Sequence, residues 1–316
     1  MRHLRPLSRA LAISLLFGGA LGGSTASAAT AVAAPAAAPG VAQVKVPGEA
    51  QVKKDLRELE ASFKGRIGAY AMDTATGKTV TYRAGERFPL LSTFKAPLCA
   101  AVLHKARTSE PGLMSKLVTW TAADMTPNSP VTEKHVKDGL TVAKLCEAAV
   151  TQSDGTASNL LLKQIGGPAG LTRYFRTLKD PISRMDRWHP ELNDWTRKEK
   201  RDTTTPAAIG RDLQVLATGN ALDAKDREQL NAWLLANKTG AERIRAGLPK
   251  TWTIGDRTGT NSDGFGGGND IAVIWPGKGA APIIMAIYTT RTPGLATDNA
   301  AIAKTATILA RGLGKL

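Results

Sequence analysis

Cysteine is nearly missing from this chain. Two thiols among 316 residues, Cys99 and Cys146, cannot build a disulfide-stapled miniprotein or a cysteine-based zinc module. Histidine is scarce as well: His3, His104, His135 and His189 are the full set, and no two stand at metal-ligand spacing, so no metal is expected. Acid is short, with 27 Asp plus Glu against 42 Lys plus Arg and a formal charge of +15. The cations are nevertheless dispersed among acids, as in Lys198-Glu199-Lys200-Arg201-Asp202, and no nucleic-acid module accompanies them. The basicity therefore reads as a solvated surface that attracts anions, including substrates bearing carboxylates. Long apolar runs are lacking too. The stretch from Leu11 to Leu21 is about half of the roughly twenty residues that a membrane span needs, and no other segment is longer. Disorder is excluded from the other side, since 42% apolar and 22% charged residues are ordinary for a folded chain of this length.

What is present begins with an export pattern. Arg2, Arg5 and Arg9 precede the apolar run, and Ala26-Ser27-Ala28 supplies the small-x-small site of a signal peptidase. Residues 1–28 are expected to be a signal peptide, the protein secreted, and the net charge to fall to +12 as three arginines leave. Residues 29–51, dominated by Ala, Pro, Val and Gly, read as a linker. The folded region is expected over 52–316. Leu56, Leu59 and Phe63 recur at helical spacing, and Arg66 to Met72 with Thr79 to Tyr82 flank a turn as a β-hairpin. Thr251 to Gly255, Ile271 to Trp275 and Pro282 to Tyr288 read as strands, and Asp298 to Leu313 as a closing helix. Between Ser92 and Leu235 helical periodicity dominates with no strand. The pattern predicts an α/β (α+β) fold: an antiparallel sheet flanked by helices, formed by 52–90 and 236–316, plus an all-helical lobe over 91–235.

The two cysteines lie 47 residues apart, and an oxidising compartment favours pairing them, with a gain of roughly 3 to 4 kcal/mol in the loop-entropy picture. Two separate buried thiols are the other reading. Neither cysteine is read as catalytic.

Ser92-Thr93-Phe94-Lys95 opens an amphipathic run, so on a helix the Lys95 amine reaches the Ser92 hydroxyl. A serine activated by an amine at a helix N-terminus is a nucleophile in a field that favours an oxyanion. Alone, the pair is a common accident. Ser153-Asp154-Gly155 and Arg257-Thr258-Gly259-Thr260 follow in an order and separation that resemble the three active-site elements of penicillin-recognising serine enzymes. Arg187-Trp188-His189-Pro190-Glu191-Leu192-Asn193, with Asp202 beyond, resembles the omega loop of class A β-lactamases, and the Ser129 to His135 run and the cysteine pair look like that family too.

The resemblance implies a three-layer α/β/α, β-lactamase/transpeptidase-like fold and a set of roles. Ser92 is the nucleophile, Lys95 the proton acceptor and Ser153 the proton relay to the lactam nitrogen. Arg257 and Thr258, with Arg243, hold the substrate carboxylate; Ser92 and Thr260 N–H groups form the oxyanion hole. Asn159 binds the substrate's amide side chain, and Asn193 and Gly259 join the substrate-binding positions. Arg187 and Asp202 pin the omega loop. Neither metal nor organic cofactor is implied; the partner is a small β-lactam, with no nucleic acid, no membrane beyond export, and a monomeric state.

Departures from the family pattern are concentrated at the site. His189 stands where the family carries a water-activating Glu, so either the imidazole is the base or the water is poorly activated; Glu191 is a candidate substitute. Arg257 replaces a Lys with a planar fork. Gly155 replaces an Asn and is expected to widen the mouth, and Asn128 replaces an aromatic gatekeeper. Three functions follow: a β-lactamase, a β-lactam sink that is acylated and hardly turns over, and a D,D-peptidase, which the omega loop and cysteine pair argue against. His104 and His135 read as packed or surface-bonded, and the tryptophans as core or loop anchors.

Overall fold

A computed structural model describes residues 46–261 and 264–316 of the protein. The expected signal peptide and most of the expected linker lie outside the described residues. In chain order the elements are α1 (Glu49–Phe63), β1 (Gly65–Asp73), β2 (Thr79–Tyr82), β3 (Phe88–Pro89), α2 (Lys95–Thr108), β4 (Leu117–Val118), β5 (Leu140–Thr141), α3 (Val142–Gln152), α4 (Gly155–Gln164), α5 (Gly167–Thr177), β6 (Thr203–Thr204), α6 (Pro206–Ala217), α7 (Ala224–Leu235), β7 (Thr253–Asn261), β8 (Gly267–Trp275), β9 (Ile283–Arg291) and α8 (Asn299–Leu313). Helix α1 starts at Glu49, inside the stretch assigned to the linker, because its first turn already serves to seat Val52 in the core.

Five antiparallel strands form the sheet in the order β2-β1-β9-β8-β7. Both faces are buried, and alternate residues serve different cores. On β9, Ile283, Met285 and Ile287 pack toward α1 and α8 with Val52, Leu56, Ile302 and Leu309, while Ile284, Ala286 and Tyr288 face the helical side. The result is the α/β (α+β), three-layer arrangement the sequence predicts. Helix α6 departs from its expected place in the helical lobe: it packs beneath β1, β8 and β9. Its approach depends on Gly210, where a Cβ would lie 2.4 Å from the Tyr70 ring.

Three boundaries differ in instructive ways. Strand β7 runs through Arg257-Thr258-Gly259-Thr260 instead of ending before it, so that motif is held by the ladder to β8. Two-residue ladders, β3 with β6 and β4 with β5, tie the region read as purely helical; they are too short for a period of two to register. The expected disulfide is absent: Cys99 and Cys146 are separate buried thiols, and the Cys99 Sγ donates to the Cys146 backbone carbonyl at 3.7 Å. Both sulfurs fill apolar space among the helices of the lobe, the role of a small hydrophobe.

Candidate active site

Ser92 sits on a strained turn rather than within an α-helix. Leu91 has φ 47°, a left-handed conformation unfavourable for a branched side chain, and Ser92 follows in a 3-10 turn (Leu91–Phe94) that feeds α2 at Lys95. Neighbours hold the turn: Thr93 Oγ1 donates to the Leu90 carbonyl (2.6 Å) and pairs with the Tyr288 hydroxyl (2.8 Å), and Asn269 Nδ2 donates to the Pro89 carbonyl (2.8 Å). Gly259 lets β7 approach it, since a Cβ there would lie 2.9 Å from the Ser92 nitrogen. Ser92 opens onto a cleft of about 1020 Å³ lined also by Asn128, Ser153, His189, Asn193, Thr258 and Thr260.

Ser153 occupies the left-handed link between α3 and α4 (φ 62°). Its place is set by the fully buried Asp154, whose carboxylate accepts from the Val131, Thr132 and Ala157 nitrogens and from Thr132 Oγ1 at 2.8 to 2.9 Å. The Ser129 to His135 run is thus the brace for the second motif. Lys95 Nζ donates to the Ser153 carbonyl (2.7 Å) and to Ser153 Oγ (3.2 Å), and Arg257 Nη2 donates to the same hydroxyl (2.6 Å). That hydroxyl donates in turn to Ser92 Oγ at 3.2 Å. The amine therefore reaches the nucleophile through Ser153, and not by the direct contact that helical spacing predicts. Burial holds the Lys95 ammonium well below the usual lysine range, and the Arg257 charge pushes it further down.

An anion-binding corner lies beside this relay. Thr258 Oγ1 and Thr239 Oγ1 stand 2.5 Å apart, with Arg257 Nη1 3.4 Å from each. Burial pulls the fully enclosed Arg257 guanidinium down to about 10, against the pull of Asp256 and Asp270. Thr239 belongs to none of the motifs and was missed; only its position in the fold reveals it. Arg243 does not line the cleft. Its nitrogens are taken by Asn299 Oδ1, by the Gly259 and Asn269 carbonyls and by Thr260 Oγ1, so it fixes β7 from behind instead of holding a carboxylate.

Arg187 and Asp202 close the neck of the loop: Arg187 Nε donates to Asp202 Oδ2 at 2.6 Å, and Asp202 Oδ1 accepts from the Asp186 and Arg187 nitrogens. Asn159 is engaged by the protein at both ends of its amide. Its Nδ2 donates to the His189 carbonyl (2.7 Å) and its Oδ1 accepts from the His189 nitrogen (3.0 Å), a two-point clamp on the loop backbone. Asn193 lines the cleft, and its carbonyl accepts from Asn261 Nδ2 at 3.0 Å. Asn128, exposed at φ 56°, donates to the Ser153 carbonyl. Glu191, the other candidate base, is exposed to solvent.

His189 Nε2 lies 3.2 Å from the Pro127 carbonyl. A carbonyl only accepts, so this nitrogen carries the proton and Nδ1 holds the lone pair. Burial and then the neighbouring Lys95 push the imidazole down to about 4. Gly155 does not widen the mouth, because the His189 ring occupies the space beside it. Among the described residues no His, Cys, Asp or Glu cluster suits a metal ion, and no helix is long and apolar enough to cross a membrane.

Comparison with known proteins shows the family of the chain. Residues 51–313 match the model of the "Beta-lactamase enzyme family". The chain is 47% identical to β-lactamase AST-1 of Nocardia asteroides, over 81% of this chain and 82% of that one. It is 46% identical to the carbapenem-hydrolysing β-lactamase KPC of Klebsiella oxytoca, over 83% and 89%. The crystal structure of a β-lactamase from Streptosporangium roseum superposes with a TM-score of 0.83 at 72% identity, covering 84% of this chain and all of that one. A reconstructed ancestral class A enzyme of Gram-negative bacteria gives 0.77 at 49%, over 82% and 98%.

Proposed function

We propose that this chain, which belongs to the class A β-lactamase family, opens the β-lactam ring through an ester on Ser92 and clears that ester with water activated by His189. The observation that carries the reading is the relay: a buried amine whose proton affinity burial lowers, joined through the Ser153 hydroxyl to Ser92 Oγ. With Lys95 unprotonated, the Ser153 hydroxyl turns its hydrogen from Ser92 Oγ, where it rests, to the Nζ lone pair; the Ser92 proton then passes to Ser153 Oγ while the Ser153 proton moves to Nζ. The freed Oγ bonds to the lactam carbonyl carbon. As the C–N bond breaks, the nitrogen takes a proton from Ser153, which Lys95 replenishes. The Ser92 and Thr260 nitrogens face the developing oxyanion, and the Thr239 and Thr258 hydroxyls, with the Arg257 charge behind them, receive the substrate carboxylate.

For the second half, His189 Nδ1 takes a proton from water as its oxygen bonds to the ester carbon; the ester C–O bond then breaks and the proton held on the imidazole is returned to Ser92 Oγ, which regenerates both groups. An imidazole pushed down to about 4 is in its basic form throughout the neutral range and has the proton affinity of an ordinary carboxylate, the group the family uses at this position. The curated relatives reported above are β-lactamases, which supports turnover over a sink or a peptidase. Secretion by a signal peptide ending near Ala28 is part of the same proposal.

A chromogenic cephalosporin followed through the pre-steady state tests this reading. Continuing linear hydrolysis is expected, with the loss of all acylation in Ser92→Ala. A stoichiometric burst followed by silence, or a covalent adduct on the variant by mass spectrometry, overturns it.

A further inference from the structure

We propose that Gly155 is the positioning residue for His189: the absent side chain at the first residue of α4 is the seat of the imidazole. A Cβ at 155 would lie 2.5 Å from both Cδ2 and Nε2 of His189 and 2.7 Å from Thr126 Oγ1. Real Cβ atoms essentially never make contacts that short, so the ring or the start of α4 would have to move. The backbone does not ask for glycine here, since Gly155 is outside the positive-φ residues. Space for the ring is what the position provides.

The rest of the seat is built around that gap. The Gly155 nitrogen donates to the Asn128 carbonyl at 2.9 Å, which holds the start of α4 against the Thr126 to Asn128 loop. The adjacent carbonyl of that loop, Pro127, receives Nε2. Asn159 lies four residues after Gly155, on the same face of α4, and clamps the His189 backbone through both ends of its amide. One helix face thus fixes the loop backbone at one level and clears the ring at the next. With Nε2 committed to a carbonyl, the lone pair is forced onto Nδ1, and the half-buried ring is held at the wall of the cleft. The two departures from the family pattern, His for Glu at 189 and Gly for Asn at 155, are therefore one change: a side chain at 155 and an imidazole at 189 compete for the same volume.

This inference rests on the reading of His189 as the base, and the test separates the two. Acyl-enzyme lifetimes are measured for the unaltered protein, Gly155→Ala, His189→Gln, His189→Glu and the Gly155→Ala/His189→Glu pair, each checked for folding by thermal melt. Gly155→Ala is expected to slow release of the acyl group at least about tenfold more than it slows acylation, and to move the acidic limb of release upward toward the ordinary imidazole range near 6.5. On the His189→Glu background the same substitution is expected to change release by less than about twofold, because a flexible carboxylate vacates the seat. Equal slowing on both backgrounds, or no slowing with His189, overturns the proposal. If Gly155→Ala fails to fold, nitrogen NMR of His189 in the unaltered protein decides: a protonated Nε2 and titration near 4 support the seat, while a protonated Nδ1 or titration near 6.5 removes it. Release unaffected by His189→Gln would instead defeat the base assignment and leave the seated ring intact.

Discussion

At the scale of single residues, two cationic side chains are forced into one buried volume. Lys95 is fully enclosed, and the nearest charge that penalises its ammonium is the Arg257 guanidinium, equally enclosed and sharing Ser153 Oγ with it. Removing that guanidinium should make Lys95 easier to protonate. The sign follows from the causes: burial lowers its proton affinity first and Arg257 second, so the second contribution disappears while the first persists. Arg257→Gln is therefore expected to move the acidic limb of the acylation rate to higher pH by about one unit or more, and to slow acylation at neutral pH by about tenfold. A pH profile of the second-order acylation rate reads this directly, and an unmoved limb would show that burial alone sets the amine. Ser92, Lys95, Ser153 and Arg257 were all legible in the sequence, because fixed motifs carry them. Their wiring was not: spacing suggests a direct Ser92 to Lys95 contact, and only the strained turn at Leu91 explains why the path runs through Ser153.

Whole elements add constraints that no single motif contains. The omega loop is a long excursion whose ends meet at a fully buried carboxylate, with Asp202 taking two backbone nitrogens and the Arg187 guanidinium. Arg187→Ala leaves that carboxylate without its counter-charge, which in comparable buried pairs costs about 3 to 5 kcal/mol. A loss of about 3 kcal/mol in urea denaturation is expected, with deacylation slowed more than acylation because His189 lies within the loop while Ser92 and Lys95 do not. A change under about 0.5 kcal/mol would mean that the backbone donors to Asp202 suffice by themselves. The neck was readable from the Arg187 and Asp202 spacing, as were α1, the β1/β2 hairpin and α8 from their periodicity. Strand β7 was half hidden, since its functional segment is charged, hydroxylated and glycine-bearing, with no alternation to betray a buried strand. Asn159 and Arg243 were assigned to substrate for their chemistry, yet in the fold their donors already have protein partners. Thr239 lies outside any element with a signature and comes to the cleft only by packing beside β7.

Across the whole molecule, the sheet is shared by two cores, and α6 is one of the pieces that join the sheet to the helical lobe. That helix carries Asp212, 2% exposed, with one carboxyl oxygen lacking any partner. Burial first and the nearby Asp180 charge second push it up to about 9. In the unfolded chain the same carboxyl has the ordinary value near 3.9. The folded protein therefore retains a proton that the unfolded chain releases, and the stability this carboxyl contributes is complete below about pH 4 and declines toward pH 9, by up to about 1.4 kcal/mol per unit. Asp212→Asn keeps the shape and removes the titration. Relative to the unaltered protein, the variant is expected to gain about 4 kcal/mol between pH 5 and pH 8 in denaturant unfolding, whatever its standing at the lower pH. Parallel stability curves across that interval would place the proton elsewhere, on a carboxyl that ionises normally. The expected divergence would instead show that the helix between the two cores is held in place partly by a neutral acid, so that alkaline solution loosens the junction on which both halves of the site depend.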